Sequence, residues 1–213
     1  MAHDISGRTG REVCYHPLDV VDQQSVKTLV RWTVKRCKKI DILVNGAMGV
    51  GKNFYASVER YTQDDFNKVL SVNVTGTFLC SRAVAEVMKK DRGGSIINIA
   101  SIYGVVAADP SIYAGSGINS PAAYAASKGA IVNLTRYLAV TWAKENIRVN
   151  SISPGGVFND QPEEFVSNYS KRTPLGRMAK KSDLKGAVVF LASPASGYIT
   201  GHNLLVDGGW TAW

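Results

Sequence analysis

The chain has 213 residues, room for one domain of ordinary size and hardly for two. Hydrophobic residues make up 45% and charged residues 20%, globular values that exclude whole-chain disorder. Twenty-five basic against 17 acidic residues give a net charge of +8. The basic clusters Lys35–Lys39 and Lys89–Arg92 sit where helices should end, and neither is interleaved with base-stacking aromatics. They are expected to be solvated helix ends, not a nucleic-acid surface.

No apolar run approaches the roughly 18 residues of a membrane span, and MAHDISGRTG is too polar for a signal peptide. Cys14, Cys37 and Cys80 form no CxxC pair, as free thiols of a reducing compartment would. A soluble cytoplasmic protein, with no membrane partner and no metal site, is the expectation.

In chain order, five short β-branched runs read as buried strands: Val13–Tyr15, Asp41–Asn45, Ser95–Ser101, Ile147–Ser153 and Asn203–Asp207. Helical patterns lie near Asp22–Cys37, Thr62–Lys89, Ala122–Lys144 and Ser182–Ala192, with Thr62 and Asp65 resembling a capping box. The alternation predicts one α/β domain over residues 1–213, a parallel sheet covered on both faces. Two stretches, 102–121 and 154–181, fit no regular element and directly follow strands. Ligands bind beyond the carboxyl ends of such strands, so both are candidate substrate walls.

GAMGVGKN at Gly46–Asn53 nearly matches the phosphate-binding P-loop. Asn53 stands where a hydroxyl residue should ligate magnesium, so a nucleotide-hydrolysing reading is remote and a glycine-rich turn is preferred.

Tyr124 and Lys128 stand four apart at the start of a predicted helix, which puts phenol and ammonium one turn apart on one face. A nearby cation favours the phenolate, and such a pair can pass a proton to or from an alcohol while a cofactor moves hydride. Small neighbours (Ala122, Ala123, Ala125, Ala126, Gly129 and Ala130) let a ligand approach. Ser101 closes a strand at its carboxyl end, where a hydroxyl can donate to a substrate oxygen. Asn73 shares a helix face with Phe66, Leu70, Val74 and Thr77, so its amide is expected to be buried and in need of partners, structural ones or a relay water.

The ordered set Asn73, Ser101, Tyr124 and Lys128 resembles the catalytic tetrad of the short-chain dehydrogenase/reductase family. The resemblance runs through PLDVVD (Pro17–Asp22), DILVNGA (Asp41–Ala47), VNVTGTF (Val72–Phe78), GSIINIAS (Gly94–Ser101), YAASKGA (Tyr124–Ala130), NIRVNSISPGGV (Asn146–Val157), TPLGRMA (Thr173–Ala179) and ITGHNLLVDGGW (Ile199–Trp210). It implies a Rossmann-like doubly wound sheet and an NAD- or NADP-dependent oxidoreductase interconverting a secondary alcohol and a ketone. Tyr124 would be the acid/base. Lys128 would lower its pKa and hold the nicotinamide ribose. Ser101 would orient the carbonyl or alcohol, and Asn73 would anchor a relay water. Asp19 and Val20 match adenine contacts, Asn45, Gly46 and Ala47 the segment lining the cofactor, and Pro154, Gly155 and Val157 the turn that meets the nicotinamide. The polar stretch 102–121 and the PGGVFN turn look most like members handling sugars or sugar acids, such as gluconate 5-dehydrogenase-like enzymes. The family also implies a homodimer or homotetramer, and Trp210 and Trp213, which a monomer would expose, are expected against a partner subunit.

The sequence departs from the family at several points. The motif TGxxxGxG is absent, and Asp19 arrives roughly forty residues earlier than a complete Rossmann half permits. The expected first two strands and the glycine-rich phosphate loop are missing. A truncated reading frame, a fragment and a variant with impaired cofactor binding all fit, and weak stability with poor NAD(P) binding is the expectation. A catalytically impaired remnant serving as an interaction or regulatory subunit is the competing reading. NNAG reads NGAM at Asn45–Met48, Asn159 replaces a threonine after the PG turn, and the interval from Ser101 to Tyr124 is long.

Overall fold

The structure, a computed structural model, describes residues 2–213. Helix α1 (Ala2–Thr9) is followed by a segment without regular secondary structure and by α2 (Gln23–Cys37). Asp22 caps α2 through both carboxylate oxygens, to the N–H groups of Gln24 and Ser25 at 2.9 and 3.0 Å. Strand β1 (Ile42–Asn45), helix α3 (Gln63–Leu70), a π-helical turn at Ser71–Gly76, helix α4 (Thr77–Met88) and strand β2 (Gly94–Ile99) come next. Helix α5 (Ala122–Trp142), β3 (Ile147–Pro154), α6 (Glu163–Arg172), α7 (Lys185–Ala192) and β4 (Asn203–Val206) complete the chain.

The four strands form one parallel sheet in the order β1-β2-β3-β4. Alternation along each strand sorts side chains between the faces. On one face Ile96, Ile147 and Val149 pack with Val84, Met88, Leu138 and Trp142 of α4 and α5. On the other, Ile97 and Ile152 pack with Leu191 of α7. The expected α/β Rossmann-like sheet is therefore the fold, with helices on both faces.

Four of the five expected strands form. Val13–Tyr15 does not: it joins no ladder, and β1 pairs only with β2 among the described residues. The segment is held instead by the Ser6 hydroxyl, which accepts from Val13 N–H at 2.9 Å, and by His16 lying against Trp32, ring centroids 5.0 Å apart.

The expected helix Thr62–Lys89 is interrupted by the π turn. Gly76 at its end lies so close to Val20 that a Cβ there would sit 2.7 Å from Val20 Cγ2, too close for any larger residue. The stretch 154–181, expected to be irregular, contains α6, with Glu163 and Glu164 in its first turn and Lys171 and Arg172 in its last, as the helix dipole favours.

Candidate active site

The carboxyl ends of the strands open into a cleft of about 480 Å³. β2 runs on into Ser101, which is buried and whose hydroxyl accepts from Tyr103 N–H at 3.2 Å. Tyr124 stands in the first turn of α5, its N–H bonded to the carbonyl of Pro121 at 3.1 Å. One turn later the buried Lys128 Nζ donates to the Ile99 carbonyl at 2.7 Å and lies 5.4 Å from the centre of the Tyr124 ring. The spacing of four thus places both groups on the face that meets the end of β2.

Burial pushes the Tyr124 phenol above its ordinary pKa, and a hydrogen bond with Ser101 acts in the opposite sense. Burial alone brings the Lys128 ammonium down to about 8. The Lys128 ammonium is turned to a backbone carbonyl, and at Tyr124 the hydrogen bond with Ser101 opposes the effect of burial.

The residues picked out by sequence fall into two compartments that meet at Gly46. The cleft brings together Gly46, Ser101, Tyr124, Lys128, Pro154, Gly155 and Val157. A separate groove of about 210 Å³ is lined by Val20, Asn45, Gly46 and Ala47, together with Leu18, Gly76 and Thr77. Asn45 turns its amide to the Ser81 hydroxyl and Asn98 Oδ1, at 2.9 and 2.8 Å. Asp19 lines neither compartment; its carboxylate accepts from Val21 N–H at 3.0 Å.

Asn73 is fully buried, as expected, and its amide is committed to protein partners. Oδ1 accepts from Gly49 N–H at 2.8 Å and Nδ2 donates to the Ser127 hydroxyl at 2.9 Å. Ser127 in turn donates to the Tyr124 carbonyl at 2.7 Å, so Asn73 ties the loop after β1 to the first turn of α5.

The P-loop resemblance fails on geometry. Instead of cradling an anion, the GVGKN turn is pinned to a carboxylate: Asp65 accepts from Lys52 N–H and Asn53 Nδ2, both at 2.9 Å. Hydrogen bonds from Asn53 and Thr62 hold that carboxyl below its usual range, so it would repel a phosphate. The resemblance of Thr62 and Asp65 to a capping box is half realised. Thr62 caps Asp65 N–H at 3.1 Å, while the Asp65 carboxylate turns to the Thr62 hydroxyl and the GVGKN turn.

Sequence reasoning located the two cleft walls without naming their residues. Tyr103 and Tyr113 join hydroxyl to hydroxyl at 2.6 Å, and Phe165, Tyr169 and Gln161 come from the turn and helix after β3. The Tyr169 hydroxyl accepts from Gly156 N–H, fixing the turn that follows β3. Trp210 corrects a further expectation: it is buried within its own chain, stacked on Tyr169 with centroids 4.3 Å apart, whereas Trp213 is 72% exposed.

A family model described as enoyl-(acyl carrier protein) reductase matches residues 1–211. The 2-dehydro-3-deoxy-D-gluconate 5-dehydrogenase of Dickeya dadantii is 35% identical, covering 95% of this chain and 78% of its own. The crystal structure of a short-chain dehydrogenase from Leptospira borgpetersenii with bound NAD+ is 43% identical, covers 91% of this chain and 73% of its own, and superposes with a TM-score of 0.82. A gluconate 5-dehydrogenase from Burkholderia cenocepacia, in complex with NADP and tartrate, is 32% identical over all of this chain and 80% of its own, with a TM-score of 0.88. With the sheet, the Ser101–Tyr124–Lys128 grouping and a family match along nearly its whole length, the chain belongs to the short-chain dehydrogenase/reductase family of NAD(P)-dependent oxidoreductases.

Proposed function

We propose that the chain works as one domain that interconverts a secondary alcohol and a ketone, with a polyhydroxylated small molecule of the sugar or sugar-acid class as substrate. The observation that carries this reading is the convergence of Ser101, Tyr124 and Lys128 on one cleft at the carboxyl ends of the strands.

The nicotinamide end of NAD(P) suits the residues present. Lys128 supplies a donor for ribose hydroxyls, and the Pro154–Val157 turn presents backbone groups to a carboxamide. The groove around Val20, Asn45 and Ala47 is less suited to a pyrophosphate, because no charged side chain lines it. When bound, the nicotinamide supplies or accepts the hydride. Ser101 donates to the substrate oxygen and holds it against Tyr124. Tyr124 gives its hydroxyl proton to the oxygen of a ketone being reduced, or takes one from an alcohol being oxidised. The Lys128 ammonium, in place below about pH 8, favours the charge left on the phenolate. Asn73, through Ser127, keeps the first turn of α5 in register with the loop after β1.

The assembly is a homo-oligomer in this reading. Tyr137 and Val140 on α5 are 67% and 81% exposed, an apolar face that a second copy would cover. Sedimentation should give a dimer or tetramer at micromolar concentration, and a monomer there would count against it.

The uncharged groove favours a second reading, a catalytically impaired relative acting as an interaction subunit. Titration with NADH and NADPH, followed by nicotinamide fluorescence, separates the two. Saturable micromolar binding supports the oxidoreductase, and its absence supports the impaired form.

A further inference from the structure

The cleft continues outward past Tyr124 into a second compartment of about 240 Å³, which shares Tyr103, Tyr113, Gln161 and Phe165 with it. Phe54 stands edge-on to Tyr124 at 6.4 Å on one side, and Tyr113 lies against Phe165 at 5.3 Å on the other. Between these rings the polar groups are amides and hydroxyls, from Asn119, Ser120 and Gln161. Asn119 and Ser120 can both donate and accept, whereas the Gln161 amide is held by the Asn159 N–H and the Val157 carbonyl at 2.7 and 2.9 Å.

Charge is what the walls lack. Among the described residues lining the two compartments, Lys128 is the only lysine, arginine, histidine or carboxylate, and its Nζ is bonded to Ile99. Arg172, the cation of the aromatic cluster behind the wall, is held elsewhere: Asp109 lies 3.7 Å away, and the guanidinium covers the rings of Trp210 and Trp213. In the loop after β2, Gly115 adopts φ +73°, and the Glu164 carboxylate packs against it where a Cβ would otherwise sit. A substrate carboxylate held in the outer compartment would lose water and gain no counter-ion there.

The Tyr103–Tyr113 pair completes the picture. Two hydroxyls 2.6 Å apart share one proton between them, which leaves one O–H of the pair to be donated to a neighbour. Burial keeps both phenols protonated well beyond neutral pH.

We propose that the outer compartment selects an uncharged polyol over a sugar acid, with the C–H faces of the polyol against the aromatic walls and a hydroxyl remote from the reacting carbon on the Tyr103–Tyr113 pair. This narrows the function proposed above and rests on its reading of the cleft as an alcohol/ketone site. Tyr113 is then a specificity-determining residue. The rejection of anions follows from what the walls omit, since a site without a cation leaves a carboxylate unpaired.

Saturation-transfer NMR on the 213-residue chain, with and without NADH, tests this using myo-inositol, galactitol and D-gluconate as probes. Both polyols should bind at least about tenfold more tightly than gluconate. Tyr113→Phe keeps the ring contact with Phe165 and removes only the hydroxyl, so it should weaken polyol binding about three- to tenfold. Asn119→Lys supplies the missing cation and should raise gluconate affinity about tenfold, a gain that misfolding cannot imitate. Gluconate binding as tightly as the polyols, or no polyol binding, overturns the proposal. Polyol binding without hydride transfer leaves it standing and counts against the proposed reaction; turnover of gluconate but not of polyols does the reverse.

Discussion

Around Tyr124 the strands are enclosed, whereas along β1 they are not. β3 is buried over most of its length, with α5 on one face and α7 on the other. β1 has similar β-branched residues, yet Ile42 and Val44 are 46% and 45% exposed, and only Leu43 reaches the helix-covered core. The Tyr124 end of the site thus rests on a scaffold packed from both sides. The Val20–Ala47 end rests on a strand with one neighbour and one covered face. In the proposed reaction, chemistry and cofactor anchoring would be held with unequal firmness.

The largest effect that would sharpen this contrast is at the firm end. Tyr124→Phe keeps the ring and removes the proton, so turnover should fall about two to four decades with little change in NADH affinity. Unchanged turnover would remove Tyr124 from the acid/base role. Packing gives the next contrast. Ile96→Ala empties a fully buried site between β2 and the helices and should cost about 2–5 kcal/mol in urea denaturation. Val44→Ala, on the open face, should cost under about 1 kcal/mol. Comparable losses would mean that β1 is covered in solution.

Lys128 offers a pH test of the enclosed end. Its folded pKa, about 8, is below the 10.5 of the free side chain, so burial disfavours the charged form. The penalty is full below about pH 8 and vanishes above about 10.5. Stability should therefore rise across that window, by at most about 1.4 kcal/mol per pH unit. Lys128→Met should flatten the slope; an unchanged slope would assign it to another group. The smallest expected difference is in amide exchange, where β3 should exchange more slowly than β1.

Much of the enclosed region was legible in the sequence, because a doubly covered strand is rich in β-branched apolar residues, as Ile96, Ile97, Ile147, Val149 and Ile152 are, while the buried Asn98, Asn150 and Ser151 between them are hydrogen-bonded. An apolar run cannot say whether a ladder partner exists, which is why Val13–Tyr15 reads as a strand and is not one. Helix α6 was hidden by the prolines on either side of it, Pro162 and Pro174, although Phe165 and Tyr169 stand one turn apart. Ser101, Tyr124 and Lys128 could be found because helix spacing and strand ends fix where they point. The Tyr103–Tyr113 contact could not, since both stand in the one stretch after β2 that follows no regular pattern, where spacing does not say which side chains meet. Nor could spacing tell that Asn45 would turn its amide to Ser81 and Asn98, away from the cleft.

The π turn at Ser71–Gly76 has a bearing on how this helix tolerates change in length. A residue added to a helix turns everything after it by about 100°, so the faces of α3 and α4 obey different phases. Upstream, that phase points Asp65 at the GVGKN turn; downstream, it points Val84 and Met88 at the sheet. Excising one residue from 71–76 would let the ladder close into an ordinary α-helix, and the two ends could no longer both face their neighbours. Point substitutions on exposed positions of this element should be absorbed easily, whereas a single-codon deletion would force a choice between the loop after β1 and the core.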